Sequence, residues 1–131
     1  MLIIAVSLHV LAAVFWAGTT FTLARTGGVL SEQLYRPQMA AAAVAVLAGL
    51  WLWTLTQGGA FATPQVVLTV GALCAVAAAG VQGAIGGAAI RGLARGALTE
   101  ATARPRIALA QRIAAVLLVV ALLAMVTSPY V

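Results

Sequence analysis

His9 is the only histidine in this 131-residue chain and Cys74 the only cysteine, and both lie in apolar stretches without charged neighbours. Both types hold metals. An imidazole nitrogen serves as an axial ligand to haem iron, and imidazole, thiolate and thioether form a set suited to copper, Cu(I) above all. In SLHVLAAVFWAG, Ser7 to Gly18, a helix gives His9 a face of Ala5, Ala12, Ala13 and Trp16, at i−4, i+3, i+4 and i+7. Methyl groups and one broad aromatic leave room for something flat, and haem needs an apolar slot to lie in. A neutral imidazole bonded to the carbonyl of a neighbouring helix is the structural alternative, because ionisable residues in a membrane face the bundle interior in either case.

One histidine excludes bis-histidine ligation within the chain. A His/Met pair, a five-coordinate iron or ligands shared between protomers remain. Met125, near the end of the last apolar stretch, is better placed than Met39, which begins the second stretch on the opposite side. His9 and Cys74 each lie about eight residues into their stretches, roughly 12 Å at 1.5 Å per residue, so His9, Cys74 and Met125 can share a layer. The candidate cofactor residues are thus His9, Trp16 and Met125, and the candidate metal ligands His9, Cys74 and Met125. Haem b or copper is the expected cofactor, with no cofactor at all as the alternative.

Other chemistries lack their residues. The only acids, Glu32 and Glu100, lie in loops, so no carboxylate pair exists for hydrolysis or acid/base work, and no catalytic residue is assigned. GAIGGAAIRG is glycine-rich but ends an apolar stretch, where close packing is the better reading than phosphate binding. Cys74 has no partner for an intrachain disulfide, and a free cysteine in such a stretch is most often a small buried hydrophobe.

Composition sets the elements that must position these residues. The chain is 64% hydrophobic and 7% charged, with a mean hydropathy of +1.14, far from the roughly 25% charged residues of globular domains. Four apolar stretches, about 2–24, 39–56, 66–90 and 107–128, each approach the roughly 20 residues that cross a hydrocarbon core of about 30 Å. The expectation is an all-α, four-helix transmembrane bundle of up-down topology, one integral membrane domain over 1–131 with the lipid bilayer around it. MLIIAVSLHV has no early Lys or Arg, so the first span is expected to stay in the mature chain.

Gly27 and Gly28 stop the first span, and RTGGVLSEQLYRPQ ends in Pro37, suited to the first turn of the second. Trp51 and Trp53 suit the interfacial belt, as does Tyr130. All seven basic residues are arginines. Arg25, Arg36, Arg91, Arg95, Arg104 and Arg106 fall in loops 25–38 and 91–106, and Arg112 lies just inside the fourth span. The opposite side carries none. The positive-inside rule therefore places these loops in the cytoplasm and both termini outside. Topology then accounts for the net charge of +5, and no nucleic-acid partner is expected.

The third span carries Gly71, Ala75, Ala79, Gly83 and Gly87 at a four-residue period, a face for close helix packing or for a flat ligand. Gln82 is expected to bond across helices, and Gln111 and Arg112 to snorkel toward the inner headgroups. The middle layer offers little beyond Trp16 and Thr19, and no half of the chain repeats the other, which ranks transport last.

LHVLAAVFWAG resembles the first-helix signature of small bacterial membrane proteins of the copper-resistance CopD type and of HemJ-like and other b-cytochrome-like families. In these a leucine-histidine pair precedes a small apolar run, a tryptophan and a glycine, matched here by His9, Trp16 and Gly18. RPQMAAAAVAVLAGLWLW is similar to the arginine-proline start and glycine-containing second helix of such proteins. The resemblance implies a helical bundle of a bacterial inner membrane, with His9 as axial haem or copper ligand facing the outer half of the membrane. Those families commonly carry further histidines on later helices, often the third, where this chain has Cys74 and Gln82. Three functions follow as expectations: a redox or metal-handling role centred on His9, a non-catalytic structural or accessory subunit of a membrane complex or homo-oligomer, and a small oligomeric transporter.

Overall fold

Gly27 takes the left-handed conformation (φ 67°, ψ 23°) that closes the first helix, α1 (Leu2–Thr26), and its N–H returns to the Leu23 carbonyl. α2 (Ser31–Thr56) follows after a four-residue turn. α3 (Thr63–Ala94) runs on through a π-helical turn at Gln82–Gly86, and α4 (Glu100–Thr127) ends in a 3₁₀ turn at Ser128–Tyr130. The computed structural model describes residues 1–59 and 61–131; Ala60, within the QGGAFATPQ connection, lies outside them.

The second and fourth helices begin well before their apolar stretches. Arg104 is the reason at one end. Its Nη1 donates to the Gly28 carbonyl at 2.7 Å and its Nη2 to Glu32 Oε1 at 2.6 Å, while Ser31 Oγ donates to the same Gly28 carbonyl at 2.6 Å. These bonds pin the start of α2 against α4. Glu32 stands on the polar first turn, outside the apolar stretch, where the Arg104 hydrogen bond holds its carboxyl below the usual carboxylate range. Pro37 is consequently not in the first turn, as the sequence suggested, but about two turns inside α2. Its missing N–H leaves the Gln33 carbonyl without a helical donor. Both residues lie on the exposed face, where that loss is tolerated. Pro105 and Ala101 repeat the arrangement in α4.

The interior is built chiefly of alanine. Ala42, Ala45, Ala78, Ala110, Ala114, Ala121 and Ala124 are buried, while Leu11, Val14, Leu47, Leu73, Val116 and Leu123 are exposed. Water-soluble proteins bury their large apolar side chains. The inverted pattern suits a lipid solvent, in which helices associate by close backbone approach rather than by hiding apolar area. All four helices are long and apolar enough to cross a membrane. The fold is that of a helical integral membrane protein.

Two close pairs, α1 with α2 and α3 with α4, are joined through α1 and α4, whereas α2 and α3 meet loosely. At the α3/α4 contact a Cβ on Gly71 would stand 2.8 Å from Ala124 Cβ and 3.3 Å from the Ala121 carbonyl oxygen. Backbone cannot yield there as a side chain can. Gly71→Val should therefore destabilise the bundle by about 1–3 kcal/mol, the usual range for overpacking. Gly80→Val, with no atom within 4 Å of its added Cβ, is the control. Thermal unfolding in detergent compares the two, and equal melting temperatures would refute the close α3/α4 contact.

Candidate functional site

A buried layer of amides crosses the bundle toward its arginine-rich end. Gln38 of α2, Gln82 of α3 and Gln111 of α4 are each at most 1% exposed, and Thr20 of α1 lies among them at 0%. Gln38 and Gln111 exchange two Nε2–H to Oε1 bonds of 3.1 Å, and Gln82 Nε2 donates to Gln111 Oε1 at 3.0 Å. Thr20 Oγ1 accepts from Gln82 at 2.8 Å and from Gln38 at 3.2 Å, and donates to the Trp16 carbonyl at 2.7 Å. Trp16 Nε1–H donates to Gln82 Oε1 at 2.7 Å. Among the described residues no buried side-chain N or O lacks a partner. All four helices contribute, so the layer fixes their mutual register. Gln82 opens the π-helical turn, a local widening that is frequent at functional sites.

Beyond this layer, away from the arginine-rich end, lies an apolar cavity of about 430 Å³, within the usual range for ligand pockets. Its walls include Ala13, Trp16, Ala45, Gly49, Ala75, Leu118 and Ala121, with His9 and Met125 among them. Small residues on every helix make the space. The His9 ring lies against Gly49, where a Cβ would stand 3.1 Å from Cε1 and 3.3 Å from Nδ1. Its Nδ1 is 2.8 Å from the Ala45 carbonyl oxygen. A carbonyl only accepts, so Nδ1 carries the proton. In the neutral ring Nε2 then holds the free lone pair. Metal-bound histidines use this second-shell arrangement, an N–H to a carbonyl that fixes tautomer and ring orientation.

The structure brings His9, Trp16 and Met125 to one cavity. Cys74 is half-buried and does not line it, so equal depth along two helices does not place the thiol beside His9. No group of three or more His, Cys, Asp or Glu side chains suited to a metal ion occurs among the described residues. Trp16 is a floor as well as a wall, since its indole ties the cavity to the amide layer. Ala5 is buried and Ala12 and Ala13 are half-buried, so the face drawn around His9 looks inward.

Gln111 does not snorkel; it is spent on Gln38 and Gln82, and only Arg112 beside it is exposed. The middle layer is also richer than Trp16 and Thr19 suggested. Thr19 bonds the carbonyls of its own helix, while Thr20, one residue on, faces the glutamines. The small-residue face of α3 divides its roles: Gly71 packs on α4, Ala75 lines the cavity, Gly83 lies near Met39 and Gly87 makes room for Tyr35.

Fold and site together define a helical membrane bundle with a histidine at an apolar cavity and a buried polar layer beneath. Among known proteins, the chain matches no family model, no curated protein and no solved structure.

Proposed function

We propose that the chain is a haem-binding protein of a bacterial inner membrane, with haem b in the apolar cavity and His9 Nε2 as its axial nitrogen. In this reading the helices cross up and down, the arginine-rich loops face the cytoplasm, and both termini and the cavity lie toward the outer side. The observation that carries it is the His9 ring itself. The Ala45 carbonyl and the bare backbone of Gly49 hold it, leaving Nε2 as a ready donor on a residue that lines a ligand-sized cavity.

The residues present suit haem better than copper. A copper ion needs several donors together, whereas this cavity offers one imidazole and one thioether, His9 and Met125. Haem needs one nitrogen, flat apolar walls and an outlet for its propionates. Among the described residues no cationic side chain lines the cavity, so those carboxylates have to reach the outer aqueous boundary. When bound, haem supplies one-electron chemistry. The chain supplies the ligand, the apolar walls and a floor at Trp16 tied by its indole to Gln82.

The test is an absorption spectrum and iron analysis of detergent-purified protein, repeated after incubation with haemin. A Soret band with about one iron per chain is expected. A protein that stays colourless and iron-free after reconstitution would sink this reading in favour of a cofactor-free accessory subunit.

A further inference from the structure

The cavity has a side. α2 and α3 are the sequential pair that packs loosely, and each end of their seam is closed by a specific contact. At the arginine-rich end Tyr35 fills the space at Gly87 and Gln38 enters the amide layer. At the other end Gln65 Nε2 donates to Gln57 Oε1 at 2.6 Å, and the Trp53 and Phe61 rings stand 6.0 Å apart. Between these closures, Leu50 of α2 and Ala72 and Val76 of α3 line the cavity and are exposed; Val10 of α1 and Leu122 of α4 also line it and are exposed, but their helices pack together where α2 and α3 do not. A residue that borders both the cavity and the outer surface marks a rim. The rim is wholly apolar and continuous with the outward faces of α2 and α3.

We propose that the cavity opens sideways into the hydrocarbon between α2 and α3, that an acyl chain of a bilayer lipid occupies it in the cofactor-free protein, and that apolar ligands reach His9 by this route. Lipid is the occupant that fits. The opening faces no charge and offers no hydrogen-bonding pair for a peptide, and the apolar surface around it is what the bilayer covers. An apolar space in contact with hydrocarbon fills with it, because an empty one forfeits the dispersion contacts of its walls. The proposal rests on the membrane placement given above, but not on haem as the final ligand.

Trp16 reports on it directly, being 3% exposed yet part of the cavity wall. The experiment uses protein prepared without haem, in phosphatidylcholine vesicles with either brominated or plain acyl chains, since bromine quenches tryptophan on close contact. Trp51→Phe/Trp53→Phe leaves Trp16 alone, and Trp53→Phe adds back the exposed Trp51. Trp16 emission is expected to fall in brominated vesicles as strongly as that of Trp51, and to recover when Ala72→Leu narrows the rim. Quenching of Trp51 but not Trp16 would overturn the proposal, as would quenching of Trp16 that Ala72→Leu leaves unchanged. Emission of both tryptophans unmoved by bromine would overturn it together with the membrane placement. A missing Soret band with quenched Trp16 would remove the haem reading and leave the lateral opening standing.

Discussion

Gln111→Leu is expected to destabilise the bundle by about 2–4 kcal/mol, a large loss for so conservative a volume change in the core. The leucine removes the acceptor shared by Gln38 Nε2 and Gln82 Nε2, and the donor to Gln38 Oε1. Both Nε2 groups keep Thr20 Oγ1 as a partner, so they are only weakened. Gln38 Oε1 keeps nothing. An orphaned buried acceptor costs about 1–3 kcal/mol, and interhelical bonds in membranes contribute about 0.6 kcal/mol each on average. Unfolding by a denaturing detergent in mixed micelles measures the sum.

The double variant Gln38→Leu/Gln111→Leu separates orphaning from loss of contact. It removes both ends of the reciprocal pair, while Gln82 retains Thr20 and the Trp16 indole. Its cost should fall short of the two single costs added together by about 1 kcal/mol or more, as expected for residues in one network. A Gln111 that merely reached toward headgroups would give a neutral single variant and strictly additive costs.

The glutamine layer also shows where sequence reading stops. Apolar runs reveal four spans because every residue contributes to the signal, and Gly27 is legible because a left-handed cap favours one residue type. Gln82, well inside an apolar span, reads as an interhelical bond and makes one, but Gln38 and Gln111 carry no such signal. Gln38 lies two residues from Arg36 and Gln111 beside Arg112, so each reads as the polar margin of a span. Only the rotation of each helix about its axis, set by alanine contacts far along the chain, turns all three to one point. Cys74 fails for the same reason in reverse, since depth follows from counting residues and direction does not. The His9 face was legible because its neighbours lie on its own helix. A bond to the carbonyl of a neighbouring helix was the structural alternative, and the ring makes it; that the carbonyl belongs to Ala45, 36 residues away, was not legible.

That bond gives the second large effect, in which the ring is moved rather than deleted. His9→Ala removes the proposed axial nitrogen and should abolish the Soret band. A lost band alone does not separate a ligand from a residue needed for folding. Gly49→Val does. A Cβ at this position meets His9 Cε1 at 3.1 Å and Nδ1 at 3.3 Å, so the ring must give by a few tenths of an ångström, and the valine methyls press it further from the Ala45 carbonyl, while the histidine and every other cavity wall remain. Loss of such an outer-shell partner typically weakens metal binding by about 10- to 100-fold, and a haem titration of Gly49→Val should weaken by that much. Gly80→Val should titrate as wild type, because nothing beyond its own helix stands within 4 Å of the added Cβ and Gly80 does not line the cavity. If His9 is a packing residue alone, Gly49→Val and His9→Ala will both lower the melting temperature and neither will change haem content. If Gly49→Val binds haem as tightly as wild type, the carbonyl does not orient the ring for a metal, and the His9 geometry no longer argues for an axial ligand.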